Sequence, residues 1–199
     1  MCAIAGILSA SLHPAQTDAL LLRMLSQGQR RGPDAEGVWR DECYRVGQRQ
    51  LHIMQSPDST HATLQPFLFK EKFVLSWNGS IYNYIELRQE LEKQGVRFKT
   101  HSDSEVLLEL LIHHKAAAID QLNGMFAFAI YDLGQRSLFL ARDRLATQLL
   151  VGRGARGQGQ PGQRVLVVAH QARHVEQRRA AALGLEVAAV AGGAAGGAA

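Results

Sequence analysis

The stretch Gly124-Met125-Phe126-Ala127-Phe128-Ala129-Ile130-Tyr131 limits the folds open to this chain more than any other. Read as a strand, it is apolar on both alternating faces, and such a strand must be covered on both sides. It predicts an inner sheet of a layered sandwich. Asp132-Leu133-Gly134-Gln135 then supplies turn chemistry and Ser137 to Ala141 a returning strand, so a hairpin is expected to end in Arg142-Asp143-Arg144.

The remaining elements follow from spacing. Residues 3 to 9 form an apolar run containing a glycine and read as a first strand. His13-Pro14 suits a helix start, and Ala19, Leu20, Leu21, Met24 and Leu25 recur at helical spacing until Gln27-Gly28. Arg30-Arg31-Gly32-Pro33-Asp34 breaks regular structure, as a solvated loop or as one that crosses a site. Gly37 to Arg40 and Tyr44 to Ile53 are expected as antiparallel strands around Arg40-Asp41-Glu42, followed by a long polar loop from Gln55 to Thr63. Phe73 to Trp77 is the next strand, expected to stop at the turn signal Asn78-Gly79. Asn83 with Glu86, and Ser102 with Glu105, have the spacing of reciprocal helix caps, the first helix running to Gly95 and the second carrying Asp103 as its first residue.

Chemistry concentrates at the start of the chain. Cys2 lies directly behind the initiator, so removal of Met1 would leave a thiol and an α-amino group on one residue. The thiol is intrinsically nucleophilic, and the amine, with a pKa near 7.7 to 8, is close enough to take its proton. The competing reading is a small apolar residue at a frayed end. Cys43 is expected to have no role. His52, His61, His101, His113 and His114 lack a ligand pattern, so no metal site is expected.

Composition bounds the rest. With 199 residues, 46% hydrophobic and 20% charged, the chain reads as a globular domain with a remnant. Two cysteines, no signal-peptide lead and no long apolar segment make a cytoplasmic location, without membrane contact, the simplest expectation. The formal charge of +4 sits entirely in residues 146–199, which hold six arginines and two glutamates, while the first 145 residues balance sixteen basic against sixteen acidic side chains. A basic tail on a neutral domain without arginine-aromatic interleaving argues against nucleic acid as a partner. That tail, with fourteen alanines and ten glycines, reads as low complexity, either a frameshifted or abnormal end or a disordered or partly helical extension. Within it Val165 to Val168 suits a strand and Val175 to Leu183 a helix.

Six stretches in register carry a resemblance: Met1-Cys2-Ala3-Ile4-Ala5-Gly6-Ile7, Arg31-Gly32-Pro33-Asp34, Trp77-Asn78-Gly79-Ser80-Ile81-Tyr82-Asn83-Tyr84, Ser102-Asp103-Ser104-Glu105-Val106, Leu122 to Ile130, and Leu138 to Arg144. Over residues 2–145 the chain resembles the N-terminal glutaminase domain of glutamine-hydrolysing asparagine synthetases. The resemblance implies an α+β, four-layer α/β/β/α N-terminal-nucleophile sandwich of two antiparallel sheets. It implies Cys2 as the nucleophile toward glutamine, Asn78 and the Gly79 amide as oxyanion donors, and Asp103 as the holder of the substrate's ammonium group. Glutamine is the implied substrate. No cofactor is implied for the glutaminase half, ATP and magnesium belonging to a synthetase domain absent from this chain, which would accept the ammonia as a domain or subunit.

The chain departs from the family pattern in four places. Ala3 stands where glycine is usual, putting a methyl where a backbone should pass, and Arg30 where histidine precedes Arg-Gly-Pro-Asp. In Gly47-Gln48-Arg49-Gln50-Leu51, Gln50 takes the place of the arginine that pairs with the substrate α-carboxylate; Arg49 sits one residue early, on the other strand face, and substitutes only if the strand bulges. Ser80 replaces a glutamate near the ammonium group. Losing a bidentate arginine contact costs roughly 1.5 to 3 kcal/mol. The expectation is a weak glutaminase or one acting on a different amide; the alternative is a non-catalytic remnant or interaction module.

Overall fold

The computed structural model describes residues 2–9, 13–51, 65–145, 151–154, 163–168 and 186–189. Ten strands and three α-helices follow in chain order: β1 Ala3–Ser9, α1 Pro14–Gln27, β2 Ala35–Arg40, β3 Tyr44–Gln50, β4 Phe67–Phe69, β5 Phe73–Ile81, α2 Tyr84–Lys93, α3 Asp103–His114, β6 Gly124–Asp132, β7 Ser137–Arg142, β8 Val151–Gly154, β9 Gln163–Val168 and β10 Glu186–Ala189. A 3₁₀ segment, Lys115–Gln121, links α3 to β6. One sheet has the order β2-β3-β1-β9-β8 and the other β10-β7-β6-β5-β4. All pairings are antiparallel except that of β10 with β7.

The two-faced strand expected over 124–131 is β6, and each of its faces has its own core. Phe126, Phe128 and Ile130 pack with Leu87 and Leu91 of α2 and Val106, Leu107 and Leu110 of α3. Ala129 and Tyr131 point the other way, into the layer between the sheets, against Ile4, Tyr44 and Val46. The rings of Tyr44 and Tyr131 meet there at 4.8 Å between centroids. On the outside of the first sheet, Leu21 and Leu25 of α1 cover Ala5 and Ile7. Burying each such leucine contributes about 1.5–3 kcal/mol. The layers are therefore α1, sheet, sheet, and α2 with α3: the expected four-layer sandwich.

Several local expectations need correction. The strand expected to stop at Asn78-Gly79 continues to Ile81, because all nine residues of β5 pair in unbroken register with β6, from Phe73 opposite Asp132 to Ile81 opposite Gly124. A two-residue turn preference does not compete with that ladder. Asn83 precedes α2 but makes no side-chain cap; its side chain instead donates to Gln121 O at 2.9 Å and accepts from Asn123 N–H at 2.9 Å. Ser102 does cap α3, accepting from Glu105 N–H at 3.3 Å. Glu105 does not return the bond: its carboxylate accepts from the N–H groups of Lys99 and Thr100 at 2.8 and 2.7 Å. Strand β3 ends at Gln50, short of Ile53. The loop expected over 55–63 and the helix over 175–183 lie outside the described residues. The strand expected at Val165 to Val168 lies within β9, which pairs with β1 from Ile4 opposite Val168 to Ser9 opposite Gln163.

The Ala3 methyl does meet a passing backbone, on the helix side of the sheet. Odd-numbered residues of β1 face α1, and a Cβ built on Gly28, at the end of that helix, would stand 2.7 Å from the Ala3 methyl. The backbone that passes Ala3 is thus that of Gly28, on the helix side of the sheet. Gly28→Ala is expected to lower stability by about 1–2 kcal/mol through overpacking. Ala3→Gly in the same background should restore most of it in urea unfolding; additive losses would contradict the contact.

Candidate functional site

The apolar layer between the sheets gives way to polar side chains where β1 begins and β5 ends. On β5 the odd residues Leu75, Trp77 and Ile81 face the helices, so strand alternation puts Ser76, Asn78 and Ser80 on the inner face toward the other sheet. The Cys2 nitrogen, a peptide N–H while Met1 is attached, donates to Asn78 Oδ1 at 3.1 Å, across the gap between the sheets. Because one end of the Asn78 carboxamide accepts this bond, its Nδ2 donor end is directed away from the Cys2 nitrogen.

The backbone of Asn78-Gly79 lies along an edge of its sheet. Strand β4 pairs with β5 only from Phe73 to Leu75, leaving the following residues beyond its reach. Opposite Gly79, Phe126 spends its own groups on Asp143: Phe126 N–H donates to Asp143 Oδ2 at 3.3 Å, and Asp143 N–H donates to Phe126 O at 2.8 Å. Antiparallel alternation then turns the peptide groups of Trp77, Gly79 and Ile81 toward the edge that no described strand covers. Trp77 N–H donates to Gln65 Oε1 at 2.8 Å, Trp77 O accepts from Gln48 Nε2 at 2.9 Å, and Ile81 N–H donates to Asp103 Oδ2 at 3.2 Å. The Gly79 amide sits between these anchors, aimed the same way. Glycine is required there, because a Cβ would run into Met125 O and the Phe126 backbone.

Arg31 completes the cluster. Burial pushes its guanidinium below its ordinary value, and electrostatic attraction to Cys2 works against that shift. Its loop is held to β3 through Asp34 N–H, which donates to Gln50 O at 3.0 Å. Among the described residues no group of three or more His, Cys, Asp or Glu side chains gathers as a metal site.

A family model described as a glutamine amidotransferase domain matches residues 1–183. This chain belongs to that family. The amidotransferase domain is 40% identical over 148 residues to asparagine synthetase [glutamine-hydrolyzing] 1 of Bacillus subtilis, covering 72% of this chain and 22% of that protein. It is 34% identical over 151 residues to asparagine synthetase [glutamine-hydrolyzing] 3 of the same organism, covering 74% and 24%. The chain thus spans about a quarter of the length of these curated relatives. A solved structure of the allosteric regulatory enzyme of purine biosynthesis superposes with a TM-score of 0.63 at 21% identity, covering 83% of this chain and 42% of that one. It shares the fold.

In this amidotransferase domain the residues singled out from sequence fall into two groups. Cys2, Asn78, Gly79 and Asp103 converge, and Ser80 shares the inner face with Asn78. Gln50 is buried on the inner face of β3 and accepts from Gln65 N–H at 3.4 Å. Arg49 stands apart. Pairing of β2 with β3 runs without a bulge from Ala35 opposite Gln50 to Arg40 opposite Arg45, so Arg49 keeps the α1-side face and forms an ion pair with Glu36 at 2.5 Å. Arg30 is exposed. Sequence reasoning read Arg31 only as part of a loop motif. What identifies it is its electrostatic interaction with Cys2, which spacing along the chain does not reveal.

Asp103 carries the clearest electrostatic signature. Burial raises its pKa above the ordinary 3.8, opposed by backbone N–H bonds from Ile81, Ser104 and its own residue. The folded state therefore binds the proton more tightly than the unfolded chain, and stability falls as pH rises from near 3.8 through the raised value. Asp103→Asn keeps an acceptor for Ile81 N–H and removes the titration. It is expected to raise the urea midpoint at pH 7 and leave it unchanged at pH 3; an equal gain at both would contradict the buried charge.

Proposed function

We propose that this domain hydrolyses the side-chain amide of glutamine, with Cys2 as an N-terminal nucleophile, and that its grip on glutamine is weak. The observation that carries the reading is the 3.1 Å bond from the Cys2 nitrogen to Asn78 Oδ1 in a chain of the glutamine amidotransferase family. Once Met1 is removed, that nitrogen is an amine on the same residue as the thiol, and Asn78 orients it. The amine takes the thiol proton and the thiolate attacks the amide carbon. The oxyanion that forms is received by the Gly79 N–H and the Asn78 carboxamide, preorganised donors that act where charge develops. The amine returns its proton to the departing nitrogen, the C–N bond breaks and ammonia leaves. Water, deprotonated by the same amine, then opens the thioester to glutamate and the free thiol. Arg31 supplies positive charge beside the thiolate.

Asp103 is the group proposed to hold the substrate's ammonium. The opposite clamp is neutral: Gln50 is an amide and Ser80 a hydroxyl, while the charge of Arg49 is committed to Glu36. This supports weak binding with the chemical step intact. The relatives' printed names couple glutamine hydrolysis to asparagine synthesis, and a synthetase domain or subunit is the proposed acceptor of the ammonia. ATP would act there and not at Cys2.

The neutral clamp also favours a second reading, a domain that keeps the sandwich and has lost turnover. Ammonia release by the chain with Met1 removed separates the two. Cys2→Ala should abolish release, and Asn78→Ala should lower kcat by about 10²–10³-fold, the scale of losing one oxyanion donor. Glutamine-dependent release unaffected by Cys2→Ala, or absent from the parent chain, would overturn the glutaminase reading.

A further inference from the structure

The edge of β5 that presents Gly79 is held by side chains where another strand would stand. Both peptide groups of Trp77 point outward from the sheet, and each meets a glutamine. Gln65, two residues before β4, accepts from the N–H at 2.8 Å; Gln48, on the opposite sheet, donates to the carbonyl at 2.9 Å. Gln48 is wholly buried, so its bond acts without competition from water. The two bonds pull on one residue from separate elements, fixing where the strand runs two positions before Gly79. On the other side of the strand Phe126, itself fixed by Asp143, presses against Gly79. The next outward N–H after Gly79, that of Ile81, is fixed by Asp103.

We propose that Gln65 and Gln48 are positioning residues for the Gly79 amide: their carboxamides hold an edge that no described strand pairs and set the direction in which Gly79 N–H meets the oxyanion. The proposal rests on the glutaminase reading. Neither glutamine needs to touch the substrate, so each acts on the transition state and leaves glutamine binding alone. The two roles are opposite in hydrogen-bond sense. Position 65 must accept and position 48 must donate, so the same change, glutamine to glutamate, is predicted to be tolerated at 65 and damaging at 48.

The test uses the full chain with Met1 removed, in five forms: the parent, Gln65→Met, Gln65→Glu, Gln48→Glu and Gln48→His, the last retaining a ring N–H donor. The readouts are kcat and KM for ammonia release from glutamine and the backbone amide resonance of Gly79, with β6 resonances as the check of folding. The expected result is a kcat loss of about 10–100-fold in Gln65→Met and Gln48→Glu, the cost of misplacing a reacting geometry by about 1 Å. KM should be unchanged and the Gly79 resonance shifted, while Gln65→Glu and Gln48→His stay near the parent in both readouts. Should Gln65→Met not fold, Gln65→Leu takes its place. Equal losses in all four variants, a rise in KM at constant kcat, or a Gly79 resonance that does not move would overturn the proposal in an active chain. A parent chain that releases no ammonia overturns the glutaminase reading, and with it the catalytic half of the proposal. The Gly79 resonance still decides whether the two glutamines set that amide.

Discussion

Everything in this fold is arranged around a strand that cannot be left with a face in water. Because β6 is apolar on both sides, it demands helices on one side and a second sheet on the other, and the first sheet in turn needs α1 behind it. The site forms where this arrangement reaches its limit. The interlayer core of Ile4, Tyr44, Val46, Ala129 and Tyr131 holds the sheets face to face, and at its margin Cys2 and Asn78 meet across the gap. The position of Cys2 follows from β1 being a central strand, flanked by β3 and β9. A residue at the start of a central strand has little freedom to fray.

Much of this was legible in the sequence, and what was not has physical causes. The two-sided pattern of 124–131 announced the sandwich, helical spacing announced α1, and Ser102 announced the start of α3. Asn78-Gly79 misled as a turn because local chemistry cannot see the partner strand that keeps β5 extended. Asn83 misled as a cap because its side chain found distant partners, Gln121 and Asn123, more than 35 residues away along the chain. That Ala3 meets a backbone was legible, but that this backbone is Gly28 on the α1 side follows only from strand parity. The interactions of Arg31, Gln48 and Gln65 were invisible, since they join segments that only the fold brings together.

The electrostatics divide the site in two. Around Cys2 stand the charge of Arg31, which interacts with it electrostatically, outward amides on β5, and a carboxamide on the Cys2 nitrogen. Beyond it, the Asp103 carboxylate is held partly by backbone amides against the cost of its burial. Arg49 shows why a cation one residue along a strand is no substitute. Parity sends it through the sheet to Glu36, and that ion pair is itself a cross-strand neighbour contact, Glu36 standing opposite Arg49 in the register.

The central claim is that Cys2 becomes a chain-terminal nucleophile facing a glutamine site. It is tested most directly by the intact mass of the purified chain before and after exposure to a glutamine-mimicking electrophile. The account predicts loss of Met1 and a single label on Cys2 that excess glutamine blocks. A retained Met1, or a processed Cys2 that stays unlabelled under conditions where a working glutaminase reacts, would contradict it.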